Sequence, residues 1–136
     1  AINPSSYLIK KNLGSLKVLL KMSTLLILNK EEARLLVKNG DLLTGLRELG
    51  PEIVCVTNQE KPIWCYDGTI RYKLQPHNIK VVERTGAGDA FASGLVASII
   101  RGLSIREGLK VGLKNSESVL RYFGAKNKLL RWKDVR

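Results

Sequence analysis

Hydrophobic positions along this chain follow two rhythms. Unbroken apolar runs at Leu25-Leu26-Ile27-Leu28 and Ile53-Val54-Cys55-Val56-Thr57 predict short buried strands. Other stretches repeat at the helical period. Lys10–Lys21 sets Leu13, Leu16, Leu19 and Leu20 on one face, weakened at Gly14. Lys30–Val37 predicts a helix that breaks at Asn39-Gly40, and Asp41 caps another through Leu49, stopped by Gly50-Pro51. Ile2-Asn3-Pro4 reads as the end of a strand. Pro62–Leu74 reads as a hairpin around Asp67-Gly68, and a further extended stretch ends at Glu83. Asp89–Arg101 is a run of small and apolar residues with helical character. Ser104-Ile105-Arg106-Glu107 is a capping box opening a long helix towards Tyr122, closed by Gly124. Strands alternating with helices predict an α/β fold, a parallel sheet with helices packed on it and one hairpin.

Composition narrows the function classes. The chain has 136 residues, enough for one domain, and 44% of them are hydrophobic. No apolar run reaches the roughly 18 residues needed to span a membrane, and no signal-peptide pattern opens the chain. A start at Ala1 rather than Met suggests a processed or partial chain. Cys55 and Cys65 sit in strand-like runs without nearby His, which argues against zinc and for buried thiols in a reducing cytoplasm. His77, the single histidine, lies in a polar turn and is a poor candidate for catalysis. The net charge of +11 would suit nucleic acid or phosphorylated small molecules. The basic residues are spread along the chain without interleaved aromatics, which argues against nucleic acid and for attraction of anionic substrates.

The chemistry concentrates at Val81–Gly94. A polar approach ends in Gly86-Ala87-Gly88, Asp89 follows at once, and an apolar helix begins there. Backbone N–H groups at a helix N-terminus attract a phosphate or a developing oxyanion. A carboxylate beside them can take the proton of a hydroxyl nucleophile. Together they meet the needs of phosphoryl transfer to an alcohol, which is mostly positioning and electrostatics. The competing reading is a plain strand-to-helix turn with Asp89 as N-cap. A Walker A loop is excluded because Asp89 follows Gly88 in place of Lys, and a dinucleotide fingerprint is incomplete because Phe91 stands where Gly or Ala is required. Asn29-Lys30-Glu31-Glu32, directly after a predicted strand, reads locally as an Asn N-cap with Glu at the third helical position.

This window resembles the C-terminal signature of the PfkB (ribokinase-like) carbohydrate and nucleoside kinases, Asp-Thr-x-Gly-Ala-Gly-Asp followed by a small, apolar helix. Gly86, Ala87, Gly88, Asp89, Phe91 and Gly94 stand at matching positions. The resemblance implies that Asp89 is the catalytic base and that the amides of Gly86, Ala87 and Gly88 form the anion hole. Arg84 and Thr85 would join them near the phosphates. Glu83 replaces the first Asp of the signature, which lies near a monovalent-cation site in the family, and Arg84 replaces the Thr. Asn29 and Glu32 match an Asn-x-x-Glu motif whose Glu helps organise Mg2+ and phosphate through water. Thr57 would contact the nucleotide, although Gln59 and Pro62 replace glycines usual beside it. Asn115 matches an Asn near the adenine, with small Gly112 and Ser116 beside it; the alternative is a polar residue on an exposed helical face. Gly124-Ala125 and Asn3-Pro4 match further fixed points, so the resemblance runs from Ile2 to about Leu130.

The resemblance implies a three-layer, Rossmann-like ribokinase fold, partial, with a mostly parallel sheet and helices on both faces. Residues 1–136 would form a single domain, the nucleotide-side half of a kinase whose N-terminal half and lid are absent. The implied activity is ATP- and Mg2+-dependent phosphorylation of a hydroxyl on a sugar or nucleoside. The alternative is a catalytically silent nucleotide-binding or interaction fragment, which would self-associate or pair with a missing N-terminal half.

Overall fold

A computed structural model describes residues 1–135; Arg136, the end of the basic tail, lies outside them. The chain divides into two compact units, Ala1–Gln75 and Pro76–Arg136.

The first unit runs α1 (Ser6–Lys11), α2 (Leu13–Lys21), β1 (Leu25–Asn29), α3 (Lys30–Leu36), α4 (Leu42–Glu48), β2 (Ile53–Asn58), β3 (Lys61–Tyr66) and β4 (Arg71–Leu74). Its four strands lie in sequence order. β1 and β2 are parallel, with Leu26 opposite Val54 and Asn29 opposite Thr57. Ile2 adds a parallel bridge to Leu26, where a strand end was expected. β3 and β4 fold back antiparallel through the predicted Asp67-Gly68 turn, so the sheet is mixed: parallel at its βα core and antiparallel along its hairpin. Leu16, Leu20, Leu28, Ala33, Leu46, Val54 and Val56 form the core that joins α2, α3 and α4 to one face of this sheet. Successive strand residues point to opposite faces, so Cys55 and Cys65, opposite each other in register, belong to the other face and are buried free thiols as expected. A hydrogen bond between the two thiols, together with burial, pushes Cys55 up from its ordinary value.

The helices end where local chemistry ends them. The predicted Lys10–Lys21 helix is two helices that meet at Asn12, whose φ of −142° and ψ of 49° are not helical. The interruption falls there and not at Gly14. Asp41 caps α4 by accepting the Thr44 N–H at 2.9 Å and also binds Arg71 at 2.7 and 3.0 Å. The guanidinium holds the Asp41 carboxyl well below the usual carboxylate range. Gln59, where the resemblance leads to an expectation of Gly, takes a left-handed φ of 52° in the β2–β3 turn.

The second unit is helical: α5 (Ala87–Ile100), α6 (Ile105–Leu120) and a short α7 (Trp132–Val135). The predicted capping box of Ser104 and Glu107 is present. α5 and α6 approach closely because Gly94 and Gly112 face each other; a Cβ on Gly94 would lie 2.9 Å from the Gly112 Cα. The segment before α5 is not a strand, contrary to expectation. Val82 and Glu83 donate their N–H groups to the Leu120 carbonyl at 2.8 and 3.3 Å, so the approach is tied to the end of α6.

Candidate active site

Gly86 is the N-cap of α5, with φ 82° and ψ −6°. That left-handed conformation costs most residues roughly 1–2 kcal/mol and costs glycine little. A Cβ on Gly86 would also collide with the Ala125 carbonyl. Two independent constraints therefore require glycine at this position. Asp89 is consequently not the N-cap; it sits in the first turn of α5 and is exposed. A Cβ added to Gly88 would meet open space, so the backbone there is bare on its outer side. The first N–H groups of a helix lack intrahelical acceptors. The Ala87 N–H closes on the Arg84 carbonyl at 3.3 Å, and the Ala90 N–H reaches the Gly86 carbonyl at 2.9 Å. Of the predicted amides 86–88, that of Ala87 thus has an internal acceptor.

The turn is braced from behind. Glu83 accepts the Gly124 N–H at 2.8 Å and a hydrogen bond from the Thr85 side chain, and these bonds lower its carboxyl from the ordinary value of 4.5. Glu83 therefore joins the loop to Gly124 while Ala125 packs on Gly86, which gives Gly124-Ala125 a physical task. Arg84 is exposed in the same loop.

Asn115 is buried at 7% exposure, which corrects the alternative of an exposed polar position. Its side-chain amide donates to the Ala90 carbonyl at 2.8 Å, and its Oδ1 accepts the Leu130 N–H at 2.9 Å. It cross-links α6, α5 and the C-terminal segment. Gly112 faces Phe91, with the Phe91 carbonyl 2.8 Å from where a Cβ would stand. Its small size serves helix packing.

In the first unit, Asn29, Glu32 and Thr57 gather at the C-terminal end of the parallel strand pair, the edge at which open α/β sheets bind ligands. The capping box is complete: Asn29 Oδ1 accepts the Glu32 N–H at 2.8 Å, and Glu32 accepts the Asn29 N–H at 3.1 Å. Glu32 also accepts a hydrogen bond from Ser6 at 3.3 Å. Thr57 Oγ1 donates to the Leu28 carbonyl at 3.5 Å and is half-buried. Among the described residues no group of three or more His, Cys, Asp or Glu is placed to hold a metal ion. Glu32, a single carboxylate beside Asn29 at this edge, suits an ion held mainly by phosphates and water, a usual arrangement for Mg2+. The bare backbone at Gly88 and the 14-residue helix α5 fit the phosphates themselves.

The sequence reading missed Glu117. It is a carboxylate at 8% exposure that accepts the His77 N–H at 2.8 Å and lies 2.9 Å from His77 Nδ1. An acidic residue among the apolar positions of a predicted helix was the one available signal.

The profile of the pfkB family carbohydrate kinases matches residues 5–132. The chain belongs to this family. Among curated relatives, it is 29% identical over 133 residues to an uncharacterized sugar kinase of Archaeoglobus fulgidus, covering 96% of this chain and 53% of that protein. It is 34% identical over 103 residues to a cytidine kinase of Thermococcus kodakarensis, covering 71% of this chain and 36% of the relative. The chain thus spans about half the length of the first of these relatives and about a third of the second. An E. coli protein assigned as a ribokinase II, solved in complex with ATP and Mg2+, superposes with a TM-score of 0.86 at 18% identity, over 98% of this chain and 46% of that one. An adenosine kinase from Sinorhizobium meliloti gives 0.81 at 22% identity, over 96% and 40%. At these identities the superpositions show the shared α/β ribokinase-type fold. Among the described residues no helix is long and apolar enough to cross a membrane.

Proposed function

We propose that this chain carries the catalytic base and the nucleotide side of an ATP-dependent kinase acting on a hydroxyl of a sugar or nucleoside, and that it corresponds to the C-terminal part of a pfkB-family enzyme. The observation that carries this reading is the α5 N-terminus, where left-handed Gly86, bare Gly88 and exposed Asp89 occupy one turn. Asp89 takes the proton of the acceptor hydroxyl as its oxygen bonds to the γ-phosphorus; the bond from that phosphorus to the β,γ-bridging oxygen breaks and ADP leaves. The amides of Gly86 and Gly88, with the α5 dipole behind them, stabilise charge on the transferred group. Arg84 and Thr85 hold the phosphates beside that turn, and Asn115 serves it indirectly by tying α6 to α5; in the first unit, Asn29 and Thr57 are the candidates for nucleotide contact. Glu32 would help hold Mg2+ through water, and the ion would supply neutralisation of the phosphate charge. Glu83 is the residue that would answer to a monovalent cation. The two curated relatives, a sugar kinase and a cytidine kinase, support both acceptor classes.

The test is phosphotransfer from Mg-ATP to ribose, fructose, cytidine and adenosine, by the chain and by Asp89→Asn. Turnover should fall by about 100-fold or more in Asp89→Asn while ATP binding persists, as expected for loss of a general base. Equal turnover by the variant would sink the role of Asp89. ATP binding without turnover on any acceptor would sink the kinase reading for this chain alone.

A further inference from the structure

The first unit contains a cavity of about 410 Å3 that none of the residues named above for ATP or Mg2+ lines. That volume is within the usual range of small-ligand sites, about 300–1,000 Å3. Lys30 and Arg34 of α3, Lys61 of β3 and Arg71 of β4 line it, against one carboxylate, Asp41. Asp41 is already bound by Arg71. Among the described residues, Lys30, Arg34 and Lys61 make no ion pair. Arg34 is steadied by the carbonyls of Val37 and Gly40 at 3.4 and 3.3 Å, contacts that orient a guanidinium without neutralising it. The apolar wall is Val56, Pro62 and Trp64 with Leu42 and Leu43. Trp64 is 38% exposed, and the Lys73 ammonium lies 5.4 Å from the centre of its ring.

The cavity lies apart from the residues that would serve ATP in this unit. Val56 and its register partner Trp64 share the face of the sheet under α3 and α4, whereas Thr57 points to the opposite face. On α3, Glu32 is two residues from Lys30, about 200° around the helix, whereas Arg34 is four residues on and returns to the Lys30 side. Three uncompensated cations over an aromatic and aliphatic wall select an anion with an apolar body. Arg and Lys favour phosphate, and a Trp face favours a planar ring.

We infer that this cavity is a second ligand site, for a phosphate monoester bearing a planar ring, with a nucleoside monophosphate as the type compound. Trp64 is its own reporter. With Trp132→Phe in the background, Trp64 is the one remaining tryptophan of the sequence. Titrating that 136-residue chain with AMP should change Trp64 fluorescence saturably. The midpoint should weaken by about ten-fold or more when Arg34→Ala and Lys61→Ala are combined, with circular dichroism unchanged. Gly88→Pro, which removes an amide of the proposed phosphate-binding turn, should leave the midpoint in place, which separates this site from the proposed catalytic one. Inorganic phosphate should bind at least about ten-fold more weakly than AMP, since it lacks the ring. Absence of a saturable change at millimolar AMP would overturn the assignment, as would a midpoint insensitive to the two cation removals. Equal midpoints for phosphate and AMP would overturn it as a nucleotide-class site.

Discussion

Glu83 is one of two residues, with Arg84, at which this chain departs from the signature it resembles, and its surroundings state what the departure does. The carboxylate receives the Gly124 N–H and the Thr85 hydroxyl, and both favour its charged form. Its folded value therefore lies below its ordinary 4.5. A group lowered in this way stabilises the fold fully above its ordinary value, and that contribution is lost as pH falls through the lowered one. Acid unfolding below pH 4.5 should thus be steeper in the native chain than in Glu83→Gln, measured by thermal melts across the acid range. Identical pH profiles would mean that Glu83 does not brace the turn. The same residue could be recognised in the sequence as a carboxylate in the right place. Its engagement by Gly124, 41 residues away, could not, because no local pattern reports a partner at that distance.

Elements read well wherever their ends are written in adjacent residues. The Asn29/Glu32 and Ser104/Glu107 boxes, the Asp41 cap and the Asp67-Gly68 turn were all legible because donor and acceptor lie within four residues of each other. The stretch ending at Glu83 joins no sheet because Val82 and Glu83 give their N–H groups to the end of α6, a tertiary choice. The burial of Asn115, which overturns the alternative of an exposed face, was illegible for a similar reason: its three polar contacts span 15 to 25 residues. At the candidate site, Gly86 and Asp89 were legible, but the cap itself is Gly86, and the collision of a Gly86 Cβ with Ala125 is visible only in three dimensions. Two predictions belong to this scale. Asn29→Ala removes one arm of the α3 capping box and should cost about 1 kcal/mol in a denaturant titration. An unchanged midpoint would mean that water replaces the cap. Gly94→Val drives a branched side chain into Gly112 across the α5–α6 contact and should cost about 1–3 kcal/mol or more. A cost near zero would show that the two helices separate freely at that point.

Charge is the property that belongs to the whole chain. A net +11 with a sequence pI near 9.9 is far from what folding requires, and it sets up a field that favours anions at every approach. Folding gains little from it, since like charges repel in a compact state. The gain is on the ligand side: a nucleotide triphosphate carries several negative charges, whereas a sugar or nucleoside acceptor carries none. Salt should therefore separate the two partners of the proposed reaction. The screening length contracts from about 10 Å at 0.1 M to about 3 Å at 1 M, so long-range attraction is lost while contacts in the site persist. Calorimetric titration with Mg-ATP should show the dissociation constant rising steadily as KCl is raised over that range. The apparent affinity for a neutral acceptor such as cytidine or ribose should stay flat. A flat ATP curve would mean that the surplus charge serves solubility and that nucleotide affinity rests on the α5 turn and its neighbours. An acceptor affinity that fell in parallel would point instead to a salt-sensitive fold, which a thermal melt at the same ionic strengths would register directly.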